Sequence, residues 1–167
     1  MTRICLLSDT HGYVDNRMLE LAAQADEIWH AGDFGSDVAE PLSTLKTFRG
    51  VYGNIDGAAL RTVYPEFHFF TVEAIRVLMI HIAGPFGSYT PQVRSLLSQF
   101  QPTLLVCGHS HILKVQHDSG KNVLYMNPGA AGKHGFHKVR TMLRFSVNGD
   151  RIEHLEAIEL GLRGALL

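Results

Sequence analysis

Seven potential metal ligands, Asp9, His11, Asp33, Asn54, His81, His109 and His111, fall in five short stretches of the chain. These are Asp9-Thr10-His11, Gly32-Asp33, Gly53-Asn54-Ile55-Asp56, His81, and Gly108-His109-Ser110-His111. Carboxylate, amide oxygen and imidazole together suit borderline divalent ions such as Mn, Fe, Zn, Co or Ni. Magnesium alone would ask for fewer imidazoles, because it prefers oxygen. One aspartate can bridge two ions and keep them about 3.5 to 4 Å apart, the separation at which a pair clamps both the attacking and the leaving oxygen of an in-line displacement. Asp33 is the candidate bridge. Glycines 32, 53 and 108 immediately precede ligands, as expected where a backbone turns sharply or approaches an ion closely.

All five stretches follow short apolar runs. Residues 3–8 form one such run, which predicts a strand buried on both faces and ending at Asp9. Asp15 or Asn16 can cap a helix whose apolar face is Met18, Leu19, Leu21, Ala22 and Ala25. A second strand, Ile28 to Ala31, runs into Gly32-Asp33. Val38 to Phe48 reads as a helix with Pro41 in its first turn, and Val51-Tyr52 as a third strand. This alternation predicts a largely parallel sheet packed on helices, and open α/β sheets bind ligands beyond the carboxyl ends of their strands.

The second half is richer in strands. Phe67 to Val72 and Arg76 to His81 predict a hairpin; Thr90-Pro91 predicts a capped helix with Val93, Leu96, Leu97 and Phe100 on one face. Thr103 to Cys107 is another buried run. Hairpins are expected for 112–117 with 122–126, and for 142–147 with 151–157. Two sheets packed face to face with helices outside would enclose both halves in one α/β domain spanning residues 1–167.

Composition narrows the function classes. A chain of 167 residues, 46% hydrophobic and 19% charged, can build a full core without staples. Fifteen Lys plus Arg against sixteen Asp plus Glu give a net charge near −1, so no basic field exists to hold a nucleic acid stably. The run Ile4–Leu7 is too short for a secretory signal, and no stretch reaches bilayer length, so a cytoplasmic protein without membrane contact is expected. Cys5 and Cys107 sit in apolar runs and are expected to be buried packing groups and not catalytic thiols. The ten histidines are the one oddity, and imidazole is the commonest neutral metal ligand.

Taken in order, Asp-x-His, Gly-Asp, Gly-Asn, His and Gly-His-x-His resemble the calcineurin-like metallophosphoesterases. The likeness covers most of the chain and is nearest to the small single-domain phosphodiesterase branch, which includes bacterial proteins and the retromer-subunit relatives. The resemblance implies a four-layer α/β/β/α sandwich of two mixed β-sheets flanked by helices. It also implies that Asp9, His11 and His111 hold one ion, that Asn54, His81 and His109 hold a second, and that Asp33 bridges them. The implied activity is hydrolysis of a small-molecule phosphate diester by a metal-activated hydroxide, with Asp33, Asn54, His109 and Asp56 as catalytic residues. Manganese is the first expectation for both ions, ahead of Fe, Zn, Ni, Co or Mg. The alternatives are a phosphomonoesterase of the same fold and a metal-binding interaction scaffold with little activity. Self-association is also implied, a dimer ahead of a tetramer.

Two departures from the pattern bear on activity. The larger phosphatases place a histidine, a possible general acid, directly after the motif asparagine; here that residue is Ile55, followed by Asp56. General acid catalysis contributes about 10² to 10⁴ in rate, so alkyl monoesters should turn over slowly and activated or nucleotide diesters faster. His81 is followed by Ile82-Ala83-Gly84, where many relatives have glycine at once. Asn127-Pro128-Gly129 resembles a further turn of the branch. Outside the motifs, His30 is expected as a satisfied core histidine. Gly132 to Lys138, with its cations and glycines, could meet a phosphate but reads first as a solvated loop, and Phe69-Phe70 reads as strand packing.

Overall fold

The computed structural model describes residues 1–164. The elements run β1 (Thr2–Leu7), α1 (Asn16–Ala23), β2 (Glu27–His30), α2 (Ala39–Ser43), β3 (Thr47–Gly50), α3 (Ala58–Val63), β4 (Phe67–Val72), β5 (Ile75–Ile80), α4 (Pro91–Phe100), β6 (Leu104–Val106), β7 (Leu113–Asp118), β8 (Val123–Pro128), β9 (Val139–Asn148) and β10 (Arg151–Leu162). They build two five-stranded sheets, ordered β10-β9-β1-β2-β3 and β4-β5-β6-β8-β7. Both are mixed: β1, β2 and β3 are parallel, as are β5, β6 and β8, while β9, β10, β4 and β7 pair antiparallel to their neighbours.

Side chains alternate across each strand and so build three cores. Ile4, Leu6, Trp29, Val77, Met79 and Val106 meet between the sheets. Cys5, Leu7 and Ile28 point outward under Met18 and Ala22 of α1 and Leu42 of α2. Leu78, Ile80 and Leu105 lie under Val93, Leu96 and Leu97 of α4. The result is the expected four-layer sandwich. The caps also fall as expected: Asp15 Oδ1 accepts from Met18 N at 2.9 Å, and Thr90 Oγ1 from Val93 N at 3.2 Å. No described helix is long and apolar enough to cross a membrane.

One region differs from expectation. The helix predicted for 38–48 stops at Ser43, and the third strand is Thr47–Gly50, ahead of Val51-Tyr52. Sheet pairing overrides local propensity here. Arg49 bonds Glu27 of β2 through Nε at 2.8 Å and Nη2 at 3.2 Å, while the Phe48 ring packs on Phe34 and Tyr64. Helix α3 was not anticipated; it buries no residue fully and so carries no clear apolar stripe, and Arg61 ties it back through Nε to Asp56 O at 2.6 Å.

Candidate metal centre

The expected ligands stand just beyond the carboxyl ends of β1, β2, β3, β5 and β6, where a parallel arrangement brings strand ends together. Backbone bonds stitch these ends to one another. Asp9 N donates to Gly32 O at 3.0 Å, His11 N to Asp33 O at 3.1 Å, and Gly108 N to His81 O at 3.0 Å. Five of the ten described non-glycine residues with positive φ are Asp9, His11, Asp33, His109 and His111. Such conformations cost roughly 1–3 kcal/mol each, so their gathering here marks a place where side-chain aim outweighs backbone comfort.

Two clusters result. Ligand atoms of Asp9, His11 and His111 lie within 4.8 Å of one another, and so do those of Asp33, His81 and His109. Asn54 joins the second, its Oδ1 3.0 Å from His109 Nδ1. Asp33 Oδ2 faces both, 3.2 Å from His81 Nε2 and 3.5 Å from His11 Nε2. The structure therefore brings all seven expected ligands together, with Asp33 at the junction.

The donors fit divalent cations on their own terms. Only four buried side-chain nitrogen or oxygen atoms among the described residues lack a partner, and three of them are Asp9 Oδ1, His11 Nε2 and His81 Nε2. Buried polar atoms are almost always satisfied, so three orphans, two in the first cluster and one in the second, fit positive ions. His81 Nδ1 donates to Ala31 O at 2.7 Å, which leaves its Nε2 lone pair turned into the site. Asp9 Oδ2 accepts from Ser8 Oγ at 2.6 Å and His109 N at 3.0 Å, leaving Oδ1 for the cluster. Burial pushes the Asp9 carboxyl up, but the neighbouring His11, His111 and His81 imidazoles hold it well below the usual carboxylate range. Asp33 is likewise lowered, burial being outweighed by His81 and the Ile55 amide.

Close packing of backbone fixes the aim. A Cβ on Gly53 would overlap Asp33 Oδ1 and its backbone nitrogen, and one on Gly108 would overlap Ser8 Oγ and lie 2.6 Å from Asp9 Oδ2. Asp56, expected among the catalytic residues, has a different part. Its Oδ2 accepts from Gly53 N at 2.8 Å and Phe34 N at 3.1 Å, and its Oδ1 from Gly35 N at 3.0 Å. The carboxylate is taken up by backbone amides and clamps the Asp33 loop to the Asn54 loop. Asn127 acts similarly on the histidine loop, its Nδ2 donating to Gly108 O and Ser110 Oγ, both at 3.0 Å.

His30 is the expected core histidine. It is fully buried and stacked on Phe34 at 3.8 Å. Its Nδ1 accepts from Gly32 N at 3.1 Å, leaving Nε2–H for Thr10 Oγ1 at 2.9 Å. Burial lowers its pKa to about 3, so it stays neutral. The segment 132–138 is the solvated loop expected, with Lys133, His134, Phe136 and Lys138 exposed, and it also borders the site. His134 lies 4.8 Å from His11 with the rings tilted, His137 lies 5.2 Å from His111, and both line a cavity of about 550 Å³ with His109, Asn54 and Ile55. The strand before it, β8, is parallel to β5 and β6, so its carboxyl end opens on the same edge as the ligands. Read from sequence as half of a hairpin, β8 gave no sign of this; the histidines and glycines were the available signal.

A two-sheet α/β sandwich with carboxylate and imidazole clusters at its strand ends is the architecture of a metallophosphoesterase. Residues 2–150 match the model of the calcineurin-like phosphoesterase superfamily domain, and the chain belongs to that family. A probable metallophosphoesterase of Mycoplasma pneumoniae is 32% identical over 141 residues, covering 78% of this chain and 79% of that one. Among solved structures, a novel archaeal phosphodiesterase superposes with a TM-score of 0.73 at 19% identity, covering 95% of this chain and 99% of the other. Wild-type Vps29 from Entamoeba histolytica, complexed with Zn²⁺, gives a TM-score of 0.72 at 15% identity, with 95% and 98% covered.

Proposed function

We propose that this chain is a two-metal phosphodiesterase that hydrolyses a small-molecule phosphate diester, with manganese as the preferred ion. The observation that carries the reading is the pair of adjoining clusters whose buried Asp9 Oδ1, His11 Nε2 and His81 Nε2 have no protein partner. Asp9, His11 and His111 would hold one cation and Asn54, His81 and His109 the other, with Asp33 shared. When bound, the two cations supply Lewis acidity toward the phosphoryl oxygens and lower the pKa of water.

The rest is done by this chain's own groups. Asp33 is held by the Ile55 amide at 3.0 Å on Oδ1, so Oδ2 keeps its aim between the clusters. His134 lines the cavity where it can meet phosphoryl oxygens, while His137 braces the loop, its Nε2 donating to Gly132 O at 2.8 Å. Among the described residues no hydroxyl or thiol is placed to attack: Ser110 Oγ accepts from Asn127 Nδ2 and from Ile112 N, and both cysteines are buried with thiols pushed up to about 12. Water is therefore the attacking group, and its oxygen replaces the leaving alkoxide on phosphorus. Ile55, half exposed beside Asn54, offers no proton to that alkoxide, which favours activated diesters over alkyl monoesters.

The test is an assay on an aryl phosphodiester with and without manganese, with Asp33→Asn and His109→Ala alongside. Activity should require the metal and fall by about 10²-fold or more in both variants. Activity that survives chelation and both substitutions would overturn the reading.

A further inference from the structure

A second cavity, of about 440 Å³, opens beside the first and shares His109, Ser110 and Ile112 with it. Its remaining walls are largely apolar: Ile82, Pro85, Phe86 and Tyr125, with Lys114 at one side. Phe86 and Tyr125 meet edge to face at 5.5 Å, and Lys114 Nζ stands 4.9 Å over the Phe86 ring. Its volume is within the roughly 300–1,000 Å³ of small-molecule sites. Ten large hydrophobic side chains are exposed among the described residues, and four of them, Ile55, Ile82, Ile112 and Phe136, line these two cavities. Apolar surface concentrated around one cleft marks a binding face, unlike the same residues scattered singly.

Resting on the phosphodiesterase reading, we infer that this apolar arm seats an aromatic ring carried by the ester substituent that stays on phosphorus. The two arms meet at His109, so a phosphate between the clusters can send one substituent into each. The arm toward His134 carries Ile55 and Phe136 beside its imidazoles and suits a departing aryloxide, which leaves without a proton. The arm toward Phe86 has ring faces and aliphatic walls, which suit a planar apolar group. The substrate class is then a phosphodiester with an aromatic or nucleobase-bearing retained group.

The experiment is calorimetry on the manganese-loaded protein with phenylphosphonate and methylphosphonate, followed by steady-state kinetics. Phenylphosphonate should bind about tenfold more tightly than methylphosphonate, and Phe86→Ala should reduce the ratio to about two. In the same variant, KM for bis(4-nitrophenyl) phosphate should rise about tenfold with kcat unchanged. KM for methyl 4-nitrophenyl phosphate, whose ring is on the leaving group, should stay as it was. Equal phosphonate affinities in the unaltered protein overturn the inference, and that comparison needs no variant to fold. An equal KM rise on both diesters overturns the assignment to the retained group. Failure of manganese to bind overturns the two-metal reading and this inference together, whereas normal metal binding and turnover with equal phosphonate affinities overturns the arm alone.

Discussion

Replacing Gly53 by alanine places one methyl group against Asp33 without altering any ligand. The new Cβ would overlap Asp33 Oδ1 and the Asp33 backbone nitrogen and lie 2.8 Å from Cγ, closer than real Cβ atoms come to their neighbours. Neither side can give way cheaply. Asp33 is held by Ile55 N, and the Gly53 amide is held by Asp56. Relief requires the carboxylate at the junction of the clusters to move by roughly 1 Å, a misplacement that can cost about 10²-fold in rate. The overpacking itself should cost about 1–3 kcal/mol of stability, and metal affinity should fall about 10- to 100-fold. Gly57→Ala is the matched control, because a Cβ there meets nothing within 4 Å. Titration calorimetry with manganese, aryl diester kinetics and thermal melts on the two variants read all three effects. A Gly53→Ala protein that binds manganese and turns over diester as Gly57→Ala does would refute the claim that close backbone packing aims Asp33.

Three further outcomes are expected. Asp56→Ala deprives three backbone amides of their acceptor; stability measured by denaturant titration should drop by about 3 kcal/mol or more, and an unchanged midpoint would contradict the clamp. Ile55→His puts an imidazole at an exposed position lining the cavity; turnover of alkyl monoesters should rise about tenfold or more, and no gain would show that protonation of the leaving group is not what limits them. His30 sets a pH dependence in the chelator-treated protein. Below pH 6.5 the unfolded chain takes up a proton on His30 that the folded chain refuses until about pH 3, so this contribution is complete above 6.5 and is lost as pH falls toward 3. His30→Phe should flatten the fall in stability between about pH 4 and 6 by up to about 1.4 kcal/mol per pH unit, and an unchanged slope would contradict the buried neutral tautomer.

The ligand stretches were legible because each sits directly after a hydrophobic run, and the parallel order of β1 to β3 follows from helices falling between those runs. What escaped the sequence depends on tertiary pairing. Thr47–Gly50 is a strand because Arg49 meets Glu27 across the sheet, a contact that no local pattern announces. The 132–138 segment reaches the site because β8 runs parallel to β6, although β8 follows β7 as an ordinary hairpin partner. Asp56 falls among the catalytic residues by its place in the motif, and only the positions of three amides show that it braces two loops. Ser8 Oγ reaches Gly32 O beyond β2, and Asn127 holds the histidine loop at Gly108 O, through buried hydrogen bonds between different strands or loops, which composition and spacing do not reveal.

The two-cation claim is tested most directly by anomalous diffraction from crystals of this protein soaked in manganese. Two peaks should appear, one among Asp9, His11 and His111 and one among Asn54, His81 and His109, with the Asp33 carboxylate reaching both. A single peak, or manganese bound away from these side chains, would contradict it.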